Sequence, residues 1–193
     1  SQRPGVSREW CLRAIRCASL ISVIFISNWC ASSSALGILS NSCSNLSDAL
    51  FIFDHISKKY HIPPEKIILK GRSLGSAVAI HVAGQRKVKA VLLVTPFDNM
   101  VNVAIKHYPI FPIKHLLRHP FYSDRIANKI TCPMLAIIGE HDQIIPNERS
   151  LALVEQWGGE SDHVIIKGAG HNTISHTSEY WVAIHQFLSE TAF

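Results

Sequence analysis

The sequence predicts an α/β fold in which a mostly parallel sheet carries helices on both faces. From residue 48 onward, short apolar runs alternate with helical segments, which is the pattern of a parallel sheet with crossover helices. The run "VKAVLLVTP" (88–96) is apolar along most of its length, as expected of a strand buried on both faces. A chain of 193 residues is long enough for one domain with a proper core and too short for two ordinary ones.

The elements follow one another in a regular order. Apolar residues at helical spacing predict a first helix over 48–60, which the two prolines of "HIPPEK" end. The remaining predicted strands are "IILK" (67–70), the run 88–96, "MLAIIGE" (134–140) and "DHVIIK" (162–167). The remaining predicted helices are "SAVAIHVAGQ" (76–85), the capped amphipathic "NERSLALVEQWGG" (147–159) and a closing "SEYWVAIHQFL" (178–188).

The first 46 residues have a different character from the rest. Residues 17–46 contain no charged side chain, include the apolar run "LISVIFI" (20–26) and are crowded with serines. Four interpretations stay open: a buried strand and helix of the domain, sequence foreign to the domain, a secretory signal, or a membrane anchor over 14–39. We therefore predict an atypical Ser/Cys-rich apolar segment at 1–46 and an α/β core at 47–193, with a cap-like insert at about 97–122.

The composition argues against several classes of protein. Charged residues make up only 17% of the chain, and the formal charge of +5 includes no basic stripe interleaved with aromatic residues, so nucleic acid is not an expected partner. The five cysteines form no CxxC pair, which predicts reduced structural thiols and a cytoplasmic location rather than a zinc site or disulfide framework. Because neither a Walker loop nor a G-x-G-x-x-G motif is present, no metal or organic cofactor is expected.

The pentapeptide "GRSLG" (71–75) fits the G-x-S-x-G nucleophile turn, and it stands between a predicted strand and a predicted helix, as that motif requires. Gly71 and Gly75 keep the two flanking positions small, so that the helix can pass close to the strand. The turn raises the hydroxyl of Ser73 clear of the sheet, and the N–H of Leu74 becomes the candidate oxyanion donor. The alternative is a glycine-rich turn in which Ser73 is only a helix N-cap.

A serine nucleophile needs a general base, because its hydroxyl is barely ionised at neutral pH. Among eleven histidines, His171 in "KGAGHN" is the preferred candidate. It follows the last predicted strand in a loop containing Gly168 and Gly170, at the carboxyl edge of the sheet where the Ser73 turn also lies. His176, about one turn later, is the runner-up.

The base in turn needs a carboxylate to orient it. Asp142 in "IIGEHDQIIP" follows a buried strand at the same edge of the sheet and is the preferred candidate. Glu140 and Asp98 are weaker candidates, the first still leaving the strand and the second belonging to the insert. The resulting chain order, serine then acid then histidine, is that of the α/β-hydrolases and differs from both protease orders.

From about residue 48 onward the chain resembles the α/β-hydrolase-fold serine hydrolases. The set "GRSLGSAVAIHVA", "VTPFDNM", "CPMLAIIGEHDQIIP" and "GAGHN" is similar to the ABHD13/ABHD17-like (Bem46-like) subgroup, also described as serine aminopeptidase S33-like. The resemblance covers roughly three quarters of the chain. It implies an eight-strand-type sheet, a triad of Ser73, Asp142 and His171, and hydrolysis of an ester, thioester or amide bond.

The part before the nucleophile departs from that family. Only 72 residues precede Ser73, and they contain no His-Gly or Gly-Gly loop of the kind that supplies the second oxyanion donor. We therefore expect a fold whose first strands are missing, or replaced by the serine-rich segment, and which keeps its triad. Turnover is expected to be low, since losing one donor costs about 100- to 1,000-fold.

The insert at 97–122 is expected to cover the serine and to line an apolar acyl pocket, with Tyr108, Phe111 and Phe121 as candidate substrate-binding residues. Its basic rim would suit an anionic substrate or a membrane surface. The alternative is an ordinary helical hairpin with a solvated cationic face.

Together these features predict a serine hydrolase that acts on a small-molecule or acylated substrate through an acyl-enzyme intermediate. The alternative is a catalytically impaired or truncated hydrolase-like protein, retained as an interaction module or without activity. A third possibility, a membrane-anchored or secreted protein, depends on residues 14–39 acting as an anchor or signal.

Overall fold

The computed structural model describes the backbone of residues 15–16, 22–26, 42–117 and 119–192, and the side chains of 46–117 and 119–191. The six strands of this part are β1 (Ile15–Arg16), β2 (Ser22–Ile26), β3 (Ile67–Arg72), β4 (Ala90–Val94), β5 (Met134–Gly139) and β6 (Ser161–Ile166). The helices are α1 (Ser42–Lys59), α2 (Leu74–Ala83), α3 (Met100–His107), α4 (Ile113–Leu116), α5 (Asp124–Ala127), α6 (Asn147–Glu155) and α7 (Ser178–Ala192). Single 3₁₀ turns lie at Pro64–Lys66 and Ile174–His176.

The described strands form one sheet in the order β1-β2-β3-β4-β5-β6. Strands β2 to β6 run parallel, and β1 pairs antiparallel with β2. Parallel neighbours need crossover connections, which α2 provides between β3 and β4, and α6 between β5 and β6. The carboxyl ends of β3, β4, β5 and β6 therefore meet at one edge of the sheet, which we call the carboxyl edge.

Strands β3, β4 and β5 are buried on both faces, as their continuous apolar runs predict. Side chains alternate along β3, so that Ile67 and Leu69 face one core while Ile68 faces the other. The first core contains residues of α1, α2 and α6, including Phe53, Ile80 and Leu153. The second core packs the opposite face against α7.

Two expectations about individual elements are corrected. Helix α1 begins at Ser42 and not at residue 48. Helix α6 is not capped by a side chain, because Pro146 occupies its N-cap position and makes no such hydrogen bond. Within the predicted insert at 97–122 the structure has two short helices, α3 and α4, and α5 follows it.

The atypical amino-terminal segment is described only in part. Within it, β2 pairs residue by residue with β3, from Ser22 opposite Ile67 to Ile26 opposite Gly71. Most of the predicted signal or anchor at 14–39 lies outside the described residues. No helix in the described part of the chain has the length and apolar character needed to cross a bilayer.

The insert is anchored at its base by a buried polar group. The Asp98 carboxylate accepts hydrogen bonds from Asn102 Nδ2 at 2.6 Å and from Arg149 Nη1 at 3.1 Å, joining α3 to α6. A small apolar cluster centred on Phe97, Val103 and Ile145 then packs α3 against Leu74, at the start of α2. The insert thus lies beside the carboxyl edge of the sheet.

Candidate active site

Ser73 occupies a sharp turn between β3 and α2. Its φ of 51° and ψ of −122° lie in a region that non-glycine residues rarely adopt, and such strain persists only where neighbouring contacts impose it. Those contacts are a hydrogen bond from Ser73 N to Val94 O at 2.9 Å, and another from Ser76 N to Ser73 O at 2.8 Å. The turn therefore leaves the Ser73 side chain where β3 ends.

Gly71 is required by the close crossing of α2 over β3. A Cβ atom at this position would lie 2.7 Å from the Ser76 Cα atom and closer still to the Gly75 carbonyl oxygen. Both neighbours are backbone atoms, which a side-chain rotation cannot remove. The need for a small residue two positions before the serine is thus confirmed at Gly71.

His171 lies within hydrogen-bond distance of both Ser73 and Asp142. Its Nε2 atom is 3.1 Å from Ser73 Oγ, and its Nδ1 atom is 2.7 Å from Asp142 Oδ2. The imidazole is 8% exposed and the Asp142 side chain 1% exposed, so little water competes for either contact. The structure thus brings together three side chains that are 98 and 29 residues apart in the chain.

Asp142 is held as a carboxylate by hydrogen bonds on both of its oxygens. Oδ1 accepts from the N–H groups of Ile144 at 2.9 Å and Ile145 at 2.8 Å, while Oδ2 faces His171. Burial alone would raise the pKa of Asp142, but the hydrogen bond to His171 and the two backbone N–H groups outweigh it, and the pKa lies below its ordinary value. An ionised Asp142 can accept a hydrogen bond from the Nδ1–H group of His171, and in that tautomer Nε2 can accept a hydrogen bond from Ser73 Oγ.

Two residues that the sequence did not single out for this purpose hold the His171 loop. Arg72 Nη2 donates to the His171 carbonyl oxygen at 2.7 Å, and Glu140 Oε2 accepts from Gly168 N at 2.8 Å. Glu140, a weaker candidate for the acid on sequence grounds, therefore contacts the backbone of the loop and not the imidazole. No local pattern signals the Arg72 contact, because the two residues are 99 positions apart.

Asp98 and His176, the second candidates for the acid and the base, have different surroundings from Asp142 and His171. Asp98 is ion-paired with Arg149 at the base of the insert. His176 is exposed in the 3₁₀ turn that follows the His171 loop.

Cys132 is a thiol without nucleophilic character. Burial raises its pKa to about 11, which leaves it protonated and unreactive at neutral pH. This agrees with the structural role that the sequence predicts for it.

Leu74 is the first residue of α2, so its N–H is one of the backbone donors that have no acceptor within the helix. It is half-buried beside Phe121 and Ile145. The carboxyl end of β2 lies at the same edge, because Ile26 pairs with Gly71. Residues 27–41, which follow β2, lie outside the described residues, and so does any donor they carry.

The three predicted substrate-binding residues differ in their exposure. Phe121 is half-buried in the apolar cluster that includes Leu74, next to the serine turn. Tyr108 and Phe111 are 59% and 58% exposed and contact each other edge to face, with ring centroids 6.4 Å apart. Of the predicted basic rim, Lys106 is within 3.7 Å of Glu148, and Arg118 lies outside the described residues.

No group of three or more histidine, cysteine, aspartate or glutamate side chains within 46–117 and 119–191 has the arrangement of a metal site. The side chains that contact one another at the carboxyl edge are a serine hydroxyl, an imidazole and a carboxylate.

Comparison with known proteins identifies the family of the chain. A family model described as "Serine hydrolase" matches residues 52–190. An uncharacterized protein of Mycobacterium tuberculosis is 35% identical over 148 residues, which are 75% of this chain and 52% of that protein. Human alpha/beta hydrolase domain-containing protein 17C is 32% identical over 133 residues, or 68% of this chain and 39% of the human one. The chain thus spans about half the length, or less, of these relatives.

Solved structures give the same fold. An acetyl xylan esterase from Paenibacillus sp. R4 superposes with a TM-score of 0.63 at 17% identity, covering 76% of this chain and 52% of the esterase. A cold-adapted esterase from an Arctic intertidal metagenomic library has a TM-score of 0.59 at 16% identity, covering 79% of this chain and 60% of its own.

Proposed function

The chain belongs to the serine hydrolase family and has the α/β-hydrolase fold, and on this premise we propose that it cleaves an ester, thioester or amide bond through an acyl-enzyme intermediate. The observation that carries the proposal is the unbroken series of contacts from Asp142 through His171 to Ser73, at 2.7 and 3.1 Å. Each side chain in it is suited to one role: Ser73 as nucleophile, His171 as base and Asp142 as orienting acid.

In the first half of the proposed reaction, Ser73 Oγ attacks the carbonyl carbon while its proton passes to His171 Nε2. The carbonyl oxygen becomes an oxyanion, which the N–H of Leu74 and the amino-terminal end of α2 stabilise. Collapse of the tetrahedral intermediate breaks the bond to the leaving group, and His171 returns the proton to that group. The acyl group then remains on Ser73.

In the second half, water attacks the acyl-enzyme and gives its proton to His171 Nε2. A second tetrahedral intermediate expels Ser73 Oγ, which takes the proton back, and the carboxylic acid leaves. Asp142 stays ionised throughout and stabilises the imidazolium that forms in each half.

For the substrate, we propose an acyl compound whose apolar group lies against Phe121. This ring belongs to the apolar cluster that contacts Leu74, one residue from the nucleophile. Tyr108 and Phe111 are exposed on the outer side of the insert, so we assign them a weaker, peripheral contact with the substrate. Small p-nitrophenyl and thioester acyl compounds of increasing chain length are the appropriate first substrates.

Labelling with a fluorescent fluorophosphonate tests the proposal directly, because this reagent phosphonylates only an activated serine. We expect stoichiometric labelling of the chain, loss of labelling in Ser73→Ala, and labelling at the normal rate in Ser189→Ala. Ser189 is the matched control because it is an exposed serine of α7 that bonds only within its own helix.

A folded chain that shows no Ser73-dependent labelling and no esterase or thioesterase activity would overturn the proposal. It would favour a hydrolase-like interaction module instead. Labelling in the absence of turnover would indicate that the acyl-enzyme forms and is not hydrolysed.

A further inference from the structure

Arg72 joins the strand that carries Ser73 to the loop that carries His171. It is the last residue of β3, and its Nη2 atom donates to the carbonyl oxygen of His171 at 2.7 Å. A guanidinium donor makes this hydrogen bond charge-assisted, and therefore shorter and stronger than a neutral one.

The contact closes a ring of interactions around the site. Arg72 and Ser73 are neighbours in the chain, and both contact His171: Arg72 at its carbonyl oxygen, and Ser73 at Nε2 of its ring. A single dipeptide thus holds the backbone and the side chain of the base. The loop cannot move relative to β3 without breaking one of the two contacts.

The loop has reason to need such a restraint. Gly168 adopts a φ of +67°, and no atom lies within 4 Å of the position that its Cβ would occupy. Gly170, one residue before the base, makes only ordinary contacts there, at 3.5 Å and beyond. Two glycines give the backbone wide conformational freedom, while proton transfer from Ser73 requires a narrow range of distances.

Stability alone does not account for an arginine at this position. Within residues 46–117 and 119–191, Arg72 is not in any ion pair, whereas Arg86 and Arg149 each pair with a carboxylate. Its Nε atom is buried without a hydrogen-bond partner among the described residues, which costs free energy. The group that its guanidinium contacts is the backbone carbonyl of the proposed base.

We propose that Arg72 is a positioning residue that acts through His171: it fixes the backbone of the base so that Nε2 stays within hydrogen-bond distance of Ser73 Oγ. The proposal rests on the proposed function, since it assigns Arg72 a role only if His171 serves Ser73 as base. Arg72 would then position the base as well as form part of the turn between β3 and α2.

The test compares second-order rate constants of fluorophosphonate labelling for the 193-residue chain and its variants. We expect Arg72→Met to lower the rate constant about 10- to 100-fold, because displacing a catalytic group by about 1 Å costs up to about 100-fold. Arg72→Lys should recover part of this loss, since it restores a cationic donor without the planar fork. Lys70→Met, the matched control, removes a cation two residues earlier that lies over the Tyr180 ring at 5.3 Å, and should label within about twofold of the parent.

A double-mutant cycle with His171→Ala separates positioning from general damage to the fold. If Arg72 acts through His171, adding Arg72→Met to His171→Ala should leave the residual labelling rate unchanged within about twofold. An equal loss in both backgrounds, or normal labelling of Arg72→Met alone, would overturn the proposal. If Arg72→Met does not fold, the same cycle is run with Arg72→Lys. Failure of the folded parent chain both to label at Ser73 and to hydrolyse esters or thioesters would instead overturn the proposed function, and this inference with it.

Discussion

The Asp142 side chain is 1% exposed. Hydrogen-bond partners on both of its oxygens take the place of water and stabilise the ionised carboxylate. We predict that Asp142→Asn lowers kcat by about 10⁴-fold, because an amide can donate to Nδ1 and favour the wrong imidazole tautomer. Steady-state hydrolysis of an activated ester measures this. Glu140→Gln is the control: Glu140 accepts from Gly168 N and lies 3.7 Å from the exposed His141 ring, away from the His171 imidazole. A loss below about tenfold is expected, and equal losses in the two variants would contradict the assignment.

The same carboxylate links stability to pH. Its pKa in the folded chain lies below the ordinary value of 3.8, so the folded state binds the proton less readily than the unfolded state. Its contribution to stability is therefore complete above about pH 3.8 and is lost as the pH falls through the lower folded pKa.

Urea unfolding between pH 7 and pH 3 tests this linkage. We expect the free energy of unfolding of Asp142→Asn to fall less steeply below pH 4 than that of the parent, since the substituted group no longer titrates. Parallel curves for the two chains would show that Asp142 has the same pKa folded and unfolded.

At the scale of single elements, the crossing of α2 over β3 depends on the absence of one side chain. We predict that Gly71→Ala destabilises the chain by about 3 kcal/mol, because the added methyl meets backbone atoms that cannot rotate away. Gly170→Ala provides the comparison: its Cβ would meet neighbours only at 3.5 Å and beyond, and a change within about 1 kcal/mol is expected. Denaturant unfolding measures both, and similar effects would contradict this explanation of the crossing.

The attachment of the insert depends on the buried Asp98 carboxylate and its half-buried partner Arg149. We predict that Asp98→Ala lowers the free energy of unfolding by about 1.5–3 kcal/mol, because Arg149 and Asn102 lose their acceptor. Asp54→Ala breaks the ion pair with Arg86, whose partners are 34% and 39% exposed, and should cost at most about 1 kcal/mol. Thermal unfolding of both variants makes the comparison, and a small effect of Asp98→Ala would show that the insert is held by its apolar contacts.

Over the whole molecule, protection against exchange should follow the order of the strands. No residue of β4 is more than 1% exposed, and β4 lies between two parallel neighbours. β6 pairs with β5 alone in the described sheet, and Asp162 and His163 on it are exposed. We predict that amides of β4 exchange with deuterium only on global unfolding, while those of β6 exchange through local opening at least about tenfold faster. Equal protection of the β4 and β6 amides would contradict this prediction and indicate that β6 does not open locally.

The sequence was sufficient where the structural signal is local. A strand buried on both faces must be apolar throughout, so "AVLLV" identified β4, and the crossing at Gly71 required a glycine. The positions of Ser73, Asp142 and His171 followed from the rule that parallel strands end at a common edge.

The sequence was insufficient where distant contacts decide. Residues 42–45 are serine, cysteine and asparagine, which are poorer helix formers than leucine or alanine, so propensity does not predict the early start of α1. The exposure of Tyr108 and Phe111 depends on the orientation of α3 and α4 relative to the sheet. The aromatic content of the sequence does not specify that orientation. The Arg72–His171 contact joins residues 99 positions apart, and no periodic pattern in the sequence indicates it.

That separation also has a consequence for how the chain is made. The serine turn is complete once β3 and α2 exist, but its acid and base follow β5 and β6, the base nearly a hundred residues later. Synthesis from the amino terminus therefore produces Ser73 long before Asp142 and His171. Under the proposed function, Ser73 would become reactive only when β5 and β6 have joined the sheet, so its labelling would report folding of the carboxyl-terminal half.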